Sequence, residues 1–339
     1  MRFGSTCRNP RFARATRPAA AAILSAWLAV AAVANGHADT AGKARDSSQP
    51  GAFRSAVELV ALQVSVVDPQ HRYVDGLRVD DFGVYEEGAP QAVALFSAAT
   101  EPLDVMVLLD TSASMKLRMS VAQEAAIAFV RELRAEDRAA VVLFSTGVRV
   151  VQPLTSEIPA LERAIRGAQA RGGTSIHQAV YIALRELTRA RRGDQEPRRQ
   201  ALVVLSDGED NTSSISFEDA IGEARRAGVT IFTILPAPDA AAKPFDPDAR
   251  GRGAVPFEMR TLAGETGGRT FVSTHRDNLS AAYREVAEEL RHQYWLAYVP
   301  ASASQGYRRI AVRVVTRPGL VVRTRSGYYA TSSRHGTLP

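Results

Sequence analysis

The sequence predicts an α/β fold: a doubly wound, mostly parallel sheet inserted in a small β-sandwich-like unit built from N- and C-terminal strands. Residues 105–110 and 201–205 are short, almost wholly apolar runs, as expected of parallel strands buried on both faces. Segments such as 121–134 and 176–191 carry apolar residues at helical spacing. Because strand and helix segments of this kind alternate, the middle of the chain is expected to form βα units on one sheet.

The βα pattern begins near residue 101 and ends near residue 292. Its predicted strands are 105–110, 139–144, 148–151, 201–205, 229–235 and 269–273. Its predicted helices are 121–134, 158–170, 176–191, 217–227, 257–267 and 279–292. Residues 236–256 are rich in proline and glycine without clear periodicity, which indicates an exposed loop.

The flanks of this region have a β pattern, with β-branched and aromatic residues between turn residues. The predicted flanking strands are 57–67, 82–86 and 91–97 before the βα region, and 293–299, 307–315 and 320–325 after it. Since either group alone has too few strands for an independent core, we expect the two groups to pack together.

The first 38 residues predict a secretory signal peptide. Five arginines precede an uncharged apolar run from Ala19 to Ala34, and small residues follow at Gly36 and Ala38. A run of about 16 residues is shorter than the roughly 20 needed to cross a bilayer. We therefore expect a cleaved signal and a secreted, periplasmic or cell-envelope protein without a stable membrane span, although retention of the signal as an anchor stays open.

Removal of this segment changes the charge and the thiol content of the chain. The full sequence carries a net charge of +6, and loss of the five arginines lowers it to +1. The basic character therefore gives no support for nucleic acid as a partner. The single cysteine, Cys7, also lies in this segment, so no disulfide or cysteine nucleophile is expected in the mature protein.

The 339 residues are enough for two domains. The predicted organisation is a signal peptide (1–38), a linker (39–54), an N-terminal β unit (55–100), an α/β domain (101–292), C-terminal strands that pack with the N-terminal unit (293–330), and a tail (331–339).

Polar side chains follow the buried strands of the α/β domain. Asp110, Ser112 and Ser114 follow the first strand, Thr174 precedes the helix 176–191, and Asp207 follows the strand 201–205. In an open α/β sheet, ligands bind beyond the carboxyl ends of the strands. Two carboxylates and three hydroxyls on three loops suit a hard cation, so we expect these five side chains to bind Mg²⁺ or Mn²⁺.

These motifs, Asp110-Thr-Ser-Ala-Ser114, Thr174 after two glycines, and Asp207 in Ser-Asp-Gly, resemble the von Willebrand factor type A (VWFA) domain, whose fold is Rossmann-like. In that family the matching residues form a metal-ion-dependent adhesion site. The resemblance covers about residues 100–295. The flanks, with Asp81 to Gly88 and Arg325 to Tyr329, resemble the secreted "VWFA-related" proteins of Acidobacteria.

The resemblance implies a protein-binding module for adhesion or assembly. The bound ion would leave one coordination position open for an Asp or Glu carboxylate of a protein partner. Glu209, Asp210 and Ser175 lie beside the predicted ligands and could support them or contact the partner, but ordinary turn residues would explain them equally well. The oligomeric state and the identity of the partner are not predicted.

Two other function classes compete with adhesion. Ser175 and His177 could suggest a hydrolase, but residues two apart at a helix start do not face each other. A phosphotransferase would need a second acidic residue where Ser112 stands. The prediction is therefore a binding protein and not an enzyme. The alternatives are a structural envelope module with a vestigial metal site and a metal-dependent hydrolase.

Overall fold

The computed structural model describes residues 59–98, 101–194, 196–207, 209–236, 256–273, 279–302 and 305–330. The predicted signal peptide, linker and C-terminal tail lie outside the described residues, as does most of the predicted loop 236–256.

The elements follow the predicted order. The strands are β1 (Val60–Val67), β2 (Phe82–Glu86), β3 (Ala89–Gln91), β4 (Val93–Ala98), β5 (Leu103–Asp110), β6 (Arg138–Phe144), β7 (Val148–Thr155), β8 (Arg199–Leu205), β9 (Thr230–Leu235), β10 (Thr270–Val272), β11 (Tyr294–Tyr298), β12 (Gly306–Val314), β13 (Val321–Arg323) and β14 (Gly327–Ala330). The helices are α1 (Met119–Arg131), α2 (Ile158–Arg166), α3 (Ile176–Gly193), α4 (Phe217–Ala227), α5 (Phe257–Glu265) and α6 (Leu279–Arg291).

The central sheet has the strand order β10-β9-β8-β5-β6-β7. All neighbouring strands are parallel except β6 and β7, which form an antiparallel pair at one edge. Alternate residues of β5 enter two different cores: Val107 packs with α1, α2 and α6, whereas Leu108 packs with α3, α4 and α5. Helices thus cover both faces, which confirms the predicted doubly wound α/β fold.

The flanking strands form two four-stranded antiparallel sheets. Their orders are β13-β1-β11-β4 and β14-β12-β2-β3, so each sheet contains strands from both ends of the described chain. Leu62 and Leu296 of one sheet share a buried apolar core with Val84 and Ile310 of the other. The prediction that the N- and C-terminal strands pack together in a sandwich-like unit is confirmed.

The predicted strand 91–97 is confirmed over residues 93–97 as β4, but Gln91 belongs to the separate short strand β3. The chain here forms two strands, β3 and β4, which pair with β2 and β11 respectively and so belong to different sheets. A chain that passes from one sheet to the other changes its pairing partner, and no local sequence pattern records that change. Strand β14, which completes the second sheet by pairing with β12, was not among the predicted strands.

Within the part of the chain that the structure describes, none of the helices combines the length and the apolar character needed to cross a membrane.

Strands β5 and β8 lie side by side at the centre of the main sheet, with Leu109 paired to Leu205. Their carboxyl ends therefore open onto the same edge. The loops that follow them, together with the loop that precedes α3, carry the predicted ligands.

Candidate functional site

Asp110 ends β5 with its carboxylate held on both oxygens. The side chain is buried, the backbone N–H of Ser112 donates to Oδ1 at 2.7 Å, and the hydroxyl of Ser206 donates to Oδ2 at 2.5 Å. Burial raises the pKa of Asp110 to about 6, although the bonds from Ser206 and Ser112 oppose this and the charge of Asp207 adds to it. Folding therefore brings a carboxylate to a place where its negative charge is poorly solvated.

The two predicted serines link Asp110 to Asp207. The hydroxyls of Ser112 and Ser114 are 2.9 Å apart, and Ser114 donates to Oδ1 of Asp207 at 2.7 Å. Ser112 is buried, whereas Ser114 is exposed. The chain of polar groups thus leads from the interior to solvent, and the site opens on the side of Ser114.

The loop before α3 is joined to the first loop through its backbone. The N–H of Ala113 donates to the carbonyl of Gly172 at 3.0 Å. Gly172 has a φ of +79°, and a Cβ there would lie 2.6 Å from the hydroxyl of Thr146. The same hydroxyl accepts a bond from the N–H of Gly173 at 2.8 Å. Glycine at 172 is thus required both by the backbone conformation and by the close approach of the β6–β7 turn.

The loop after β8 is joined to Thr174 by reciprocal bonds. The N–H of Thr174 donates to Oδ1 of Asn211 at 2.9 Å, and the N–H of Asn211 donates to the carbonyl of Thr174 at 3.0 Å. Thr174 is itself buried. Hydrogen bonds therefore fix the third loop to the second, as they fix the second to the first, but here one of the bonds uses the side chain of Asn211.

The structure brings four of the five predicted ligands, Asp110, Ser112, Ser114 and Asp207, into one hydrogen-bonded cluster, in which the carboxylate of Asp110 is joined through the backbone N–H of Ser112 and the others through their side chains. Thr174 joins the cluster through the backbone of its loop. Sequence reasoning missed the residues that hold these loops, namely Ser206, Asn211, Thr146 and Arg118. Ser206 could have been found, because it immediately precedes Asp207.

The three residues predicted to lie beside the site differ in their surroundings. Glu209 is exposed. Asp210 accepts bonds from the hydroxyl of Ser213 at 2.5 Å and from the N–H of His177 at 2.9 Å. Burial raises the pKa of Asp210, but these hydrogen bonds outweigh it, so the pKa lies below its ordinary value. Asp210 thus stabilises the start of α3.

Ser175 and His177 have different partners. The hydroxyl of Ser175 lies 2.7 Å from that of Thr212, whereas the imidazole Nε2 of His177 lies 2.9 Å from a carboxylate oxygen of Glu258. A serine nucleophile needs a base within hydrogen-bond reach. The contacts of Ser175 and His177 given above instead join the loops and helices around the site.

The donor set fits a hard divalent cation. Every side-chain group in the cluster of predicted ligands offers oxygen, which Mg²⁺ and Mn²⁺ prefer. The like charge of Asp207 contributes to the raised pKa of Asp110, so two carboxylates act on each other here. A positive charge is already drawn to them, because the guanidinium of Arg118 contacts Asp207. Among the described residues no group of three or more His, Cys, Asp or Glu side chains is placed to hold a metal, so hydroxyl donors would have to complete the shell.

We expect Gly173→Ala to separate the second and third loops. An added Cβ would lie 2.6 Å from Cγ2 of Thr212 and 2.7 Å from Oδ1 of Asn211, the atom that accepts from Thr174. Overpacking of this kind costs about 1–3 kcal/mol, to be measured by urea unfolding. The affinity for Mn²⁺, measured by titration calorimetry, should fall in the same variant.

The matched control is Gly147→Ala in the neighbouring β6–β7 turn, where an added Cβ meets nothing within 4 Å. Its stability and Mn²⁺ binding should equal those of the wild type. If the two variants behave alike, contact between these loops does not shape the site.

Comparison with known families identifies the central region. The model of the von Willebrand factor type A domain matches residues 104–285, which is more than half of the chain and includes all five predicted ligands. No curated protein matches the chain significantly.

Several solved structures are similar to this chain at low identity. A von Willebrand factor type A protein from Catenulispora acidiphila is 16% identical, with a TM-score of 0.47 over 84% of this chain and 76% of that one. Proximal thread matrix protein 1 of the mussel byssus, in a structure described as having a zinc-occupied MIDAS motif, is 18% identical, with a TM-score of 0.46 over 56% of this chain. The match spans 48% of the mussel protein.

Proposed function

The chain belongs to the von Willebrand factor type A domain family, and from this premise we propose that it is a secreted or cell-envelope protein that binds a partner through a divalent cation. Domains of this family typically mediate protein–protein interactions and are generally not enzymes. The partner would contribute an Asp or Glu carboxylate, and its capture would serve adhesion or assembly.

One observation carries the proposal: three separate loops are bonded to each other so that two carboxylates and two hydroxyls meet at the sheet edge. Ala113 joins the first loop to the second, Thr174 joins the second to the third, and Ser114 joins the first to the third through Asp207. A loop cluster required only for folding would have no need to place Asp110 and Asp207 close enough for their charges to interact. A bound cation would offset this unfavourable pairing.

The residues that would hold the ion are Asp110, Ser112, Ser114, Thr174 and Asp207. The expected ion is Mg²⁺ or Mn²⁺, because all five donors are oxygens. When bound, the ion supplies a positive charge with an open coordination position for a carboxylate. The exposed Ser114 lies at the solvent side of the cluster, so this is the side from which a partner would approach.

We also propose the domain organisation given by the sequence, including the signal peptide over residues 1–38 and the linker over 39–54. Export would place the site where it can meet envelope or extracellular partners. The flanking β unit would then carry the α/β domain, with which it is continuous in sequence at both ends.

The experiment is capture by crosslinking. The mature chain is incubated with an envelope extract of its source organism and crosslinked in the presence of Mg²⁺ or of EDTA. The crosslinked peptides are then identified by mass spectrometry. We expect a partner that is captured in Mg²⁺ and lost in EDTA, with its crosslink next to an acidic residue. Replacement of that residue in the partner by its amide should abolish capture.

Capture that is equal in Mg²⁺ and EDTA would contradict the proposal, as would an amide variant of the partner that binds as well as the acidic form. A matched amide substitution at a second acidic residue of the partner, distant from the crosslink, is the control and should leave capture unchanged.

A further inference from the structure

Arg118 places a cation of the chain itself against one of the proposed ligands. Its Nη1 contacts Oδ2 of Asp207, and only 13% of the Arg118 side chain and 6% of the Asp207 side chain are exposed. The other oxygen of Asp207 accepts the bond from Ser114. Both oxygens of Asp207 are therefore occupied by groups that belong to the first loop or its continuation.

The backbone holds Arg118 in this position. The residue ends the 3₁₀ turn Ala113–Leu117, which contains Ser114, and immediately precedes α1. Its N–H donates to the carbonyl of Met115 at 2.9 Å, and its carbonyl accepts from the N–H of Ala122 at 2.9 Å. Arg118 and the predicted ligand Ser114 are thus connected by one short turn, which keeps the arginine close to the site.

A guanidinium and a divalent cation at the same carboxylate repel each other. At a spacing of a few ångströms and partial burial, this repulsion is strong, because neither charge is fully screened by water. A carboxylate has enough lone pairs for two partners, but two neighbouring cations would have to share its single negative charge. Metal binding is therefore favoured when the arginine moves away from Asp207.

We infer that Arg118 is an internal competitor of the divalent cation for Asp207. The inference rests on the proposed metal site and adds its regulation: without metal, Arg118 neutralises Asp207, and with metal it is displaced toward solvent. The arginine thereby lowers the affinity for the ion and stabilises the metal-free domain.

The test is a calorimetric titration of the full mature chain with MgCl₂ and with MnCl₂, for the wild type and for Arg118→Gln. We expect Arg118→Gln to bind either ion about tenfold more tightly or better, a factor that corresponds to about 1.4 kcal/mol. In thermal unfolding, the same variant should melt below the wild type in EDTA and show the larger rise in melting temperature when Mg²⁺ is added.

Two further variants serve as controls. Arg118→Lys keeps the positive charge and should bind the ions with nearly wild-type affinity. Arg131→Gln removes an arginine from the exposed side of α1, where it pairs with Glu162 at 2.6 Å, and should leave metal affinity unchanged.

Equal or weaker binding by Arg118→Gln, with a wild type that does bind, would overturn the competition and leave the proposed metal site intact. An absence of binding heat in both proteins, together with no change in melting temperature, would overturn the metal site and the competition together. Binding by Arg118→Gln alone would support the competition most strongly.

Discussion

Asp110→Asn is expected to abolish measurable binding of Mg²⁺, with a loss in affinity of about 100-fold or more, a factor equal to about 2.7 kcal/mol. The asparagine keeps the shape of the side chain, so its Oδ1 can still accept from the N–H of Ser112 and its amide can face the hydroxyl of Ser206. What is lost is one of the two negative charges of the cluster. A divalent ion bound mainly through neutral hydroxyls would have little to compensate its dehydration.

The fold should survive this change. Burial already disfavours the charged form of Asp110, so a neutral amide at the same place removes an unfavourable charge from the interior. We expect the melting temperature in EDTA to equal or exceed that of the wild type. Loss of metal binding therefore cannot be attributed to unfolding, and circular dichroism on the titrated sample would check this directly.

Glu209→Gln is the matched control, because Glu209 is also acidic and lies in the loop after β8, close in sequence to Asp207, but is exposed. Its affinity for Mg²⁺ should stay within about threefold of the wild type, as expected of a screened surface charge. If Glu209→Gln is as damaging as Asp110→Asn, the general negative charge of the loops, and not a defined ligand set, attracts the ion. Wild-type affinity in Asp110→Asn would remove Asp110 from the ligand set.

The sequence predicts those parts of the site that depend on a local pattern of apolar and polar residues. The run before Asp110 is apolar on both faces, which only a central strand of a covered sheet requires, and the strand that ends at Leu205 has the same property. Two such strands place Asp110 and Asp207 at one edge without further information. The spacing of Ser112 and Ser114 after Asp110 then completes a recognisable motif.

The contacts of Arg118 show why the rest could not be predicted. An arginine before a helix is compatible with an exposed position, a cap or an ion pair. The choice of Asp207 as its partner depends on how the first and third loops fold onto each other. Likewise, Thr146 supports Gly173 from a turn that has no polar motif of its own. Such pairings depend on tertiary proximity and leave no periodic signal.

Similar reasoning applies to Glu289, one of the polar contacts between the α/β domain and the β unit. Glu289 lies on the face of α6 and is fully buried. It accepts bonds from Arg323 at 2.7 Å and from Arg269 at 2.9 Å, and the hydroxyl of Ser65 on β1 donates to it at 2.9 Å. In sequence it is one of several glutamates in an amphipathic helix, and only the packing of β1 and β13 against α6 distinguishes it.

Glu289→Gln is expected to lower the free energy of unfolding by about 2–3 kcal/mol. The loss of one member of a buried ion pair typically costs about 3–5 kcal/mol, and the arginine side chains here are 34% and 24% exposed, so water recovers part of that cost. Glutamine would present an amide NH₂ to at least one guanidinium, which has no acceptor to offer. For a domain of this size the melting temperature should fall by about 5 °C or more.

Glu285→Gln provides the control on the same helix, one turn away. Glu285 also pairs with Arg269, at 3.1 Å, but its side chain is 57% exposed, and an exposed pair is worth about 0–1 kcal/mol. Urea unfolding of both variants should therefore give a large loss for Glu289→Gln and a small one for Glu285→Gln. A small loss in both would mean that the apolar contacts between α6 and its neighbours suffice without the ion pair. Equal metal affinity in the two variants would show that this contact stabilises the junction of the two units without acting on the site at the far edge of the sheet.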